Sequence, residues 1–109
     1  MLKPLLGNVV RERVLLYLFV YKEGHARGMA STFNGHHTSY RSQLRMMEKG
    51  GLLVGQLKGR TRLYRFNPRY PFIAELNKLL ERAFQFIPND EKAKYYNPRR
   101  RPRMTGKPK

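Results

Sequence analysis

Cationic side chains are concentrated between residues 34 and 70, where eight Lys or Arg residues accompany one acid, Glu48. Guanidinium and ammonium groups bind phosphate oxygens, and a guanidinium also makes paired hydrogen bonds to the edge of a guanine. Both interactions are noncovalent and need no nucleophile. The residue types in this segment therefore predict binding to a polyanion, of which nucleic acid is the most common.

A predicted helix over residues 36–49 carries part of this charge. Tyr40, Leu44 and Met47 recur at helical spacing and mark its buried side. The opposite side holds the predicted DNA contacts of this helix, which are His37, Thr38, Arg41, Ser42 and Arg45. A helix fits the major groove of duplex DNA, where Arg41 is predicted to bind guanine with about 1–3 kcal/mol of discrimination. The alternative is an ordinary solvated helix face, which is usually polar as well.

A hairpin is predicted next, with strands over residues 52–57 and 61–67 joined by a Lys-Gly-Arg turn. Lys58, Arg60 and Arg62 are predicted to reach outward freely and to bind phosphates or the minor groove. The alternative is a hairpin turn that is polar by default, in which an edge lysine limits aggregation.

Two helices are predicted before this segment. Residues 9–22 repeat apolar side chains with a period near 3.6, with Asn8 suited to cap the helix and Gly24 suited to end it. Residues 26–33 form a shorter helix. Asn34-Gly35 then breaks the chain, since both residues tolerate positive φ.

A fourth helix is predicted over residues 71–86, with Pro71 in its first turn. It has more apolar positions than the core of one small domain needs, which predicts a dimer interface. The predicted interface residues are Phe72, Leu76, Leu79, Leu80, Ala83 and Phe84. The alternative is that this helix covers the core against residues 9–22, and both roles are compatible.

The chain has 109 residues, a net charge of +16 and a pI near 10.9. This length suffices for one domain with a modest core. The composition changes at Pro88, so residues 1–87 are the predicted domain, with 71–87 as its dimerisation helix, and residues 88–109 are a predicted flexible basic tail. The tail side chains predicted to bind phosphates without sequence choice are Arg99, Arg100, Arg101 and Arg103.

The sequence lacks the residues that a metal site, an enzyme active site or a membrane span would require. The chain has no Cys, and its three His residues include only one adjacent pair, so neither a metal site nor any other cofactor is predicted. No nucleophile elbow or phosphate-binding loop is present, which predicts a protein that is not an enzyme. The longest apolar run, residues 14–21, is too short to span a bilayer. We expect a soluble cytoplasmic protein without a membrane partner.

The order of predicted elements resembles the winged helix-turn-helix transcriptional regulators of bacteria and archaea, and the ArsR-like group in particular. The residues that carry the resemblance are Arg11, Arg13-Val14-Leu15, Leu18, Ala30, Asn34, Tyr40, Leu44, Met47, Gly51-Leu52-Leu53 and Tyr64-Arg65-Phe66-Asn67-Pro68. The likeness covers residues 5–87. It implies an α+β, mostly α fold with a three-helix core, a two-stranded wing and an extra C-terminal helix, and pairing through terminal helices.

The sequence departs from this pattern at two neighbouring places. Gly35 stands where the turn of such proteins usually has a buried aliphatic residue, and Tyr40 replaces a small aliphatic residue. The clustered Cys, or His and acids, of metal-sensing members are also missing. Metal sensing is therefore not carried over from the resemblance.

Together these features predict a homodimeric transcriptional regulator that binds double-stranded DNA with sequence specificity, in the cytoplasm at a bacterial or archaeal nucleoid. The helix over 36–49 is expected in the major groove and the basic wing on the adjacent backbone or minor groove. One alternative is an architectural or RNA-binding protein without sequence choice. Another is a DNA-binding adaptor for a nucleotidyltransferase-type partner. The sequence does not identify an operator or a small-molecule effector.

Overall fold

A computed structural model describes residues 1–97, which form helices and a two-stranded antiparallel sheet in an α+β, mostly helical arrangement, as predicted. The elements in chain order are α1 (Lys3–Leu6), α2 (Val9–Tyr21), α3 (Ala26–Phe33), α4 (His37–Lys49), β1 (Leu53–Lys58), β2 (Thr61–Phe66), α5 (Ile73–Gln85) and α6 (Asn89–Tyr95). No helix within residues 1–97 is both long and apolar enough to cross a membrane.

Helix α2 lies at the centre of the core. Five consecutive residues, from Val14 to Leu18, are buried, so the helix is surrounded rather than one-sided. The predicted cap at its start is confirmed, because the Asn8 side chain accepts a hydrogen bond from the backbone N–H of Arg11 at 3.1 Å. Lys22, with φ of 74°, ends the helix in the left-handed conformation.

Gly24 does not end α2, which corrects the prediction. Its backbone pairs with Tyr64 of β2 through hydrogen bonds of 3.1 and 2.8 Å, and so adds a short third segment to the sheet. A Cβ atom at Gly24 would lie 2.5 Å from the ring of Tyr17, so a larger residue has no space there. This pairing attaches the hairpin to the helical core.

Gly35 and Tyr40, the two departures from the winged helix pattern, lie against each other at the turn between α3 and α4. Asn34 ends α3 with a φ of 55°. A Cβ atom on Gly35 would lie 2.9 Å from the ring of Tyr40, so the tyrosine occupies the space of the missing side chain. The Tyr40 ring also stacks on Phe33, with centroids 6.0 Å apart. The space inside the turn is thus filled by the side chain of Tyr40 on α4 rather than by a side chain of the turn.

The hairpin of β1 and β2 forms the wing. Its pairing runs from Leu53 opposite Phe66 to Lys58 opposite Thr61, one residue later on the first strand than predicted. Gly59 occupies the turn with a φ of 65°, a conformation that glycine adopts without strain. The inner face of the wing, which includes Tyr64, points toward α4 because Tyr64 is buried against the core.

Helix α1 was not predicted, and it packs beside α2. Leu2 is buried next to it, and the backbone N–H of Leu2 donates to the Glu12 carboxylate at 2.8 Å. The Arg11 guanidinium donates to the carbonyl of Leu6 and, through Nε, to the amide oxygen of Gln43, each at 3.0 Å. Arg11 therefore joins α1 to α4.

The folded domain extends beyond the predicted boundary at residue 88. Residues Asn89–Tyr95 form α6, and Tyr96 is buried among aromatic rings of the core. Its burial raises the pKa of the Tyr96 hydroxyl, because the phenolate would lose its hydration. The ring of Phe33 lies 5.2 Å from that of Tyr95 and 5.8 Å from that of Tyr96. A flexible tail starting at 88 is therefore wrong for residues 89–97.

Candidate nucleic-acid interface

The outward side of α4 carries the polar and basic residues that the sequence predicted. Tyr40, Leu44 and Met47 are buried and fix the rotation of the helix about its axis. Arg41 and Arg45, like Thr38 and Ser42, are exposed as a result. The side chains that determine the packing and those available to a partner therefore lie on separate faces of one helix.

Between α4, the start of α3 and the wing lies a concave surface that we call the cationic cleft. It is lined by the predicted residues His37, Arg41, Arg45, Arg60 and Arg62. No carboxylate from residues 1–97 lines this cleft. The structure thus brings together basic side chains from the helix and from the wing, as a single positive surface on the outside of the domain.

Three other predicted contacts, Thr38, Ser42 and Lys58, lie outside the cationic cleft. Thr38 and Ser42 line a separate shallow depression beside Asn8, on another side of α4. Lys58 is exposed at the end of β1, opposite Thr61, and does not line the cleft. These residues extend the polar surface beyond the cleft rather than contributing to it.

Arg62 is held in place, contrary to the prediction that it reaches outward freely. Its guanidinium donates a 2.6 Å hydrogen bond to the carboxylate of Glu48 on α4 and lies 5.9 Å from the ring centre of Tyr64. The hydrogen bond to Glu48 raises the pKa of the Arg62 guanidinium. The side chain therefore forms an ion pair within the domain.

Within residues 1–97, five further residues line the cleft, and two of them, His25 and Arg27 at the start of α3, carry side chains that can bind phosphate but were not predicted to do so. His25 caps this helix, with Nδ1 accepting a hydrogen bond from the backbone N–H of Gly28 at 3.1 Å. A signal was available, because the first helix of a helix-turn-helix crosses the DNA backbone and its first turn then lies near phosphates.

The predicted dimerisation residues divide into two groups. Leu80 and Ala83 are buried in the core of the chain itself, and Phe84 packs against the rings of Phe19 and Tyr96 at 6.1 Å. Leu80 and Ala83 are therefore not available to a partner, whereas Phe84 is half-buried and packs mainly on α2 and Tyr96.

The remaining three residues, Phe72, Leu76 and Leu79, line a largely apolar surface depression that we call the apolar groove. Leu6 from α1 and Met46 from α4 also line it, and Arg11 and Glu75 add charged groups. The side chain of Phe72 is 62% exposed, and Met46 is 52% exposed. Isolated exposed apolar side chains are common, but side chains from three elements that meet in one depression are typical of an interaction surface.

The remaining predictions concern histidines and the tail. His36 precedes α4 without a side-chain hydrogen bond to cap it, while His37 lines the cleft. Within residues 1–97, no three His, Asp or Glu side chains are grouped to hold a metal ion. The tail arginines at 99, 100, 101 and 103 lie outside the described residues, so their contact with phosphate stays a prediction.

No family model matches this sequence, and no curated protein matches it significantly. Solved structures do match. Reduced HlyU from Vibrio cholerae N16961 is 15% identical, with a TM-score of 0.59, over 77% of this chain and 82% of that chain.

Two further matches have a TM-score of 0.55. One is the homodimeric winged helix-turn-helix DNA-binding domain of Mb0332 from Mycobacterium bovis, a possible ArsR-family transcriptional regulator, which is 21% identical over 77% of this chain and 75% of that chain. The other is a MarR-family transcriptional regulator from Rhodococcus sp. RHA1, which is 22% identical over 84% of this chain and 71% of that chain. The chain therefore has the winged helix-turn-helix fold, and the predicted resemblance to the ArsR-like group is confirmed at the level of fold.

Proposed function

We propose that this winged helix chain is a transcriptional regulator that binds double-stranded DNA with sequence specificity. The observation that carries the proposal is the cationic cleft, in which Arg41 and Arg45 of α4 and Arg60 of the wing turn line one surface. The structural neighbours that are described as transcription regulators support the same function. Fold alone does not determine function, so the argument rests on the charge and exposure of these side chains.

In this proposal α4 enters the major groove with its exposed side toward the bases. Arg41 binds guanine O6 and N7, and Arg45 binds a base or phosphate farther along the helix. Arg60 on the wing and Arg27 on α3 bind phosphates on either side of the groove. The regulator acts by occupying its site, which blocks or recruits other proteins without any covalent step.

We further propose that a second copy of the chain covers the apolar groove. Leu76 and Leu79 on α5, Phe72 immediately before it and Leu6 on α1 present apolar side chains at or next to terminal helices. A two-fold axis would pair this surface with itself. The neighbour Mb0332 is described as homodimeric, which supports this occupant. Such a dimer would place its two α4 helices about 34 Å apart, one turn of DNA.

Enrichment of bound sites from a random duplex library tests the proposal. We expect a palindrome whose half-sites are separated by about one helical turn, or 10–10.5 base pairs. Recovery of no preferred sequence would contradict sequence-specific binding. Recovery of a single asymmetric site would leave specificity intact and contradict the dimer.

A second candidate is DNA or RNA binding without sequence choice, which the net charge of +16 favours. Such binding depends on phosphates alone and falls steeply with salt on every sequence. Competition with a scrambled duplex of equal length separates the two functions. A regulator retains its preferred site against excess scrambled duplex, whereas a protein that binds phosphates alone does not.

Removing residues 98–109 is expected to weaken binding to all duplexes alike. The deletion keeps α6 and removes the arginines at 99–103, and the salt slope falls by about 0.9 in log-log units for each phosphate that is no longer neutralised. Binding titrations at several salt concentrations, on the selected site and on its scrambled form, measure both effects. A weakening confined to the selected site would contradict the non-specific role of the tail.

A further inference from the structure

The ion pair between Glu48 and Arg62 has an unusual position. Glu48 is the only acid between residues 34 and 70, and it lies on the last turn of α4, beside the cationic surface. A carboxylate at this place repels DNA phosphates and so opposes the binding that the neighbouring arginines favour. Glu48 is therefore not expected to contact DNA itself. Its 2.6 Å hydrogen bond with Arg62 indicates a different role for this carboxylate.

The backbone of β1 is adapted to this pair. A Cβ atom at Gly55 would lie 2.7 Å from Nε of Arg62 and 2.8 Å from Oε2 of Glu48. Neither distance is compatible with a side chain unless the pair moves. The absence of a side chain at Gly55 thus allows the two charged groups to lie directly against the wing backbone.

The pair lies in the outer half of the wing, beyond the contacts that attach the wing to the core. Near its base the wing is attached by the buried Leu53 and by the pairing of Tyr64 with Gly24. Farther out, the residues of β1 from 56 to 58 are exposed. Among the described residues, the bond between Arg62 and Glu48 is the outermost side-chain hydrogen bond that joins the wing to α4.

We propose that Glu48 and Arg62 form a positioning strut that fixes the distance between α4 and the outer half of the wing. With the strut in place, Arg41 and Arg45 on the helix and Arg60 on the turn reach DNA together. Neither member of the pair has to contact DNA. This inference rests on the proposed function, because its benefit is realised in DNA binding.

The strut predicts an effect of the opposite sign to simple electrostatics. Glu48→Gln removes a negative charge from a cationic surface, which by itself should tighten binding to DNA. If the pair is a strut, the variant instead binds the selected duplex about twofold to fivefold more weakly, the range of an exposed ion pair. Gly55→Ala should weaken binding in the same way although it changes no charge.

Each variant has a matched control. Glu81→Gln makes the same change of charge on an exposed position of α5, and Gln56→Ala makes a small change on the other face of β1. Both should leave affinity nearly unchanged. Exchanging the partners, with Glu48→Arg and Arg62→Glu together, keeps the total charge and should recover part of the affinity that Glu48→Gln loses.

A different role for Glu48 predicts the opposite change in affinity. If Glu48 only holds Arg62 away from DNA, Glu48→Gln would release the guanidinium to bind a phosphate. Affinity would then rise, and the salt slope would steepen by about 0.9 for the additional contact. Tighter binding with a steeper slope would overturn the strut.

Amide hydrogen exchange in the free protein separates this inference from the proposed function. The strut predicts faster exchange for wing amides near Arg62 in both Glu48→Gln and Gly55→Ala, with exchange at Tyr64 unchanged because its pairing with Gly24 remains. Unchanged exchange in the outer wing would overturn the strut. Failure of the unaltered protein to bind duplex DNA would overturn the proposed function and leave this result standing.

Discussion

Replacing Arg41 with alanine is expected to weaken binding to the selected duplex by about 1–3 kcal/mol, roughly 5-fold to 150-fold in Kd. Arg41 is exposed on α4 and lines the cleft shared with the wing. Loss of a paired hydrogen bond to guanine removes both binding energy and discrimination. Titration against the selected site and single-base variants should show the preference at one position relaxed.

The control for Arg41→Ala is Lys78→Ala, which removes the same charge from an exposed position on α5. Its effect should be small on every duplex, because only the overall attraction to phosphates changes. Equal losses of affinity in the two variants would show that Arg41 contributes only its charge to the overall attraction between the protein and DNA. Unchanged affinity and preference in Arg41→Ala would remove this residue from the interface altogether.

Replacing Phe72 with aspartate is expected to convert a dimer into a monomer. The side chain is already 62% exposed in the single chain, so the fold of the monomer should lose little stability. In the proposed dimer a carboxylate at this position would be buried without a partner, which strongly disfavours association. Sedimentation or light scattering should show the mass halved, and affinity for a palindrome should fall on the order of a hundredfold or more.

Phe86 provides a matched control at the other end of α5. It is 65% exposed and therefore comparable to Phe72, but it does not line the apolar groove. Phe86→Asp should leave both mass and DNA affinity unchanged. A dimer that persists in Phe72→Asp would show that the groove faces something other than a second copy. A protein that is already monomeric without any substitution would lead to the same conclusion.

Local patterns were sufficient to predict most of the scaffold. The helix over 26–33 has the predicted bounds, and the stripe of Tyr40, Leu44 and Met47 is buried as its spacing indicated. Asn8 caps α2 for the same reason, since capping depends on residues three apart. These features follow from interactions within one or two turns of the chain, which the sequence displays directly.

Features that depend on residues far apart in the chain were missed. Helix α6 was not predicted, because the segment is highly charged and interrupted by prolines, and the contacts of Tyr95 and Tyr96 with Phe33 join residues far apart in the chain. Gly24 was interpreted locally as a helix end, although its partner is Tyr64. At the candidate site, the local spacing correctly predicted that Thr38, Arg41, Ser42 and Arg45 are exposed, whereas their contact with DNA stays a prediction.

The pairing of Arg62 with Glu48, 14 residues away, was not predicted. Opposite charges at this separation can meet only if the hairpin folds back toward α4, and no periodicity in the sequence encodes that approach. Gly55 was the available signal, because a glycine inside a strand often marks close approach of another group. The structure identifies the approaching groups, because a Cβ at Gly55 would lie 2.7 Å from Nε of Arg62 and 2.8 Å from Oε2 of Glu48.

The complementary fit of Gly35 and Tyr40 makes the two positions depend on each other. A side chain at position 35 would require the ring of Tyr40 to move, since a Cβ there would lie 2.9 Å from it. Truncating Tyr40 to a small residue would instead leave a void beside Gly35. A change at either position alone should therefore be tolerated less well than a compensating change at both, so the two positions behave as a single unit of packing.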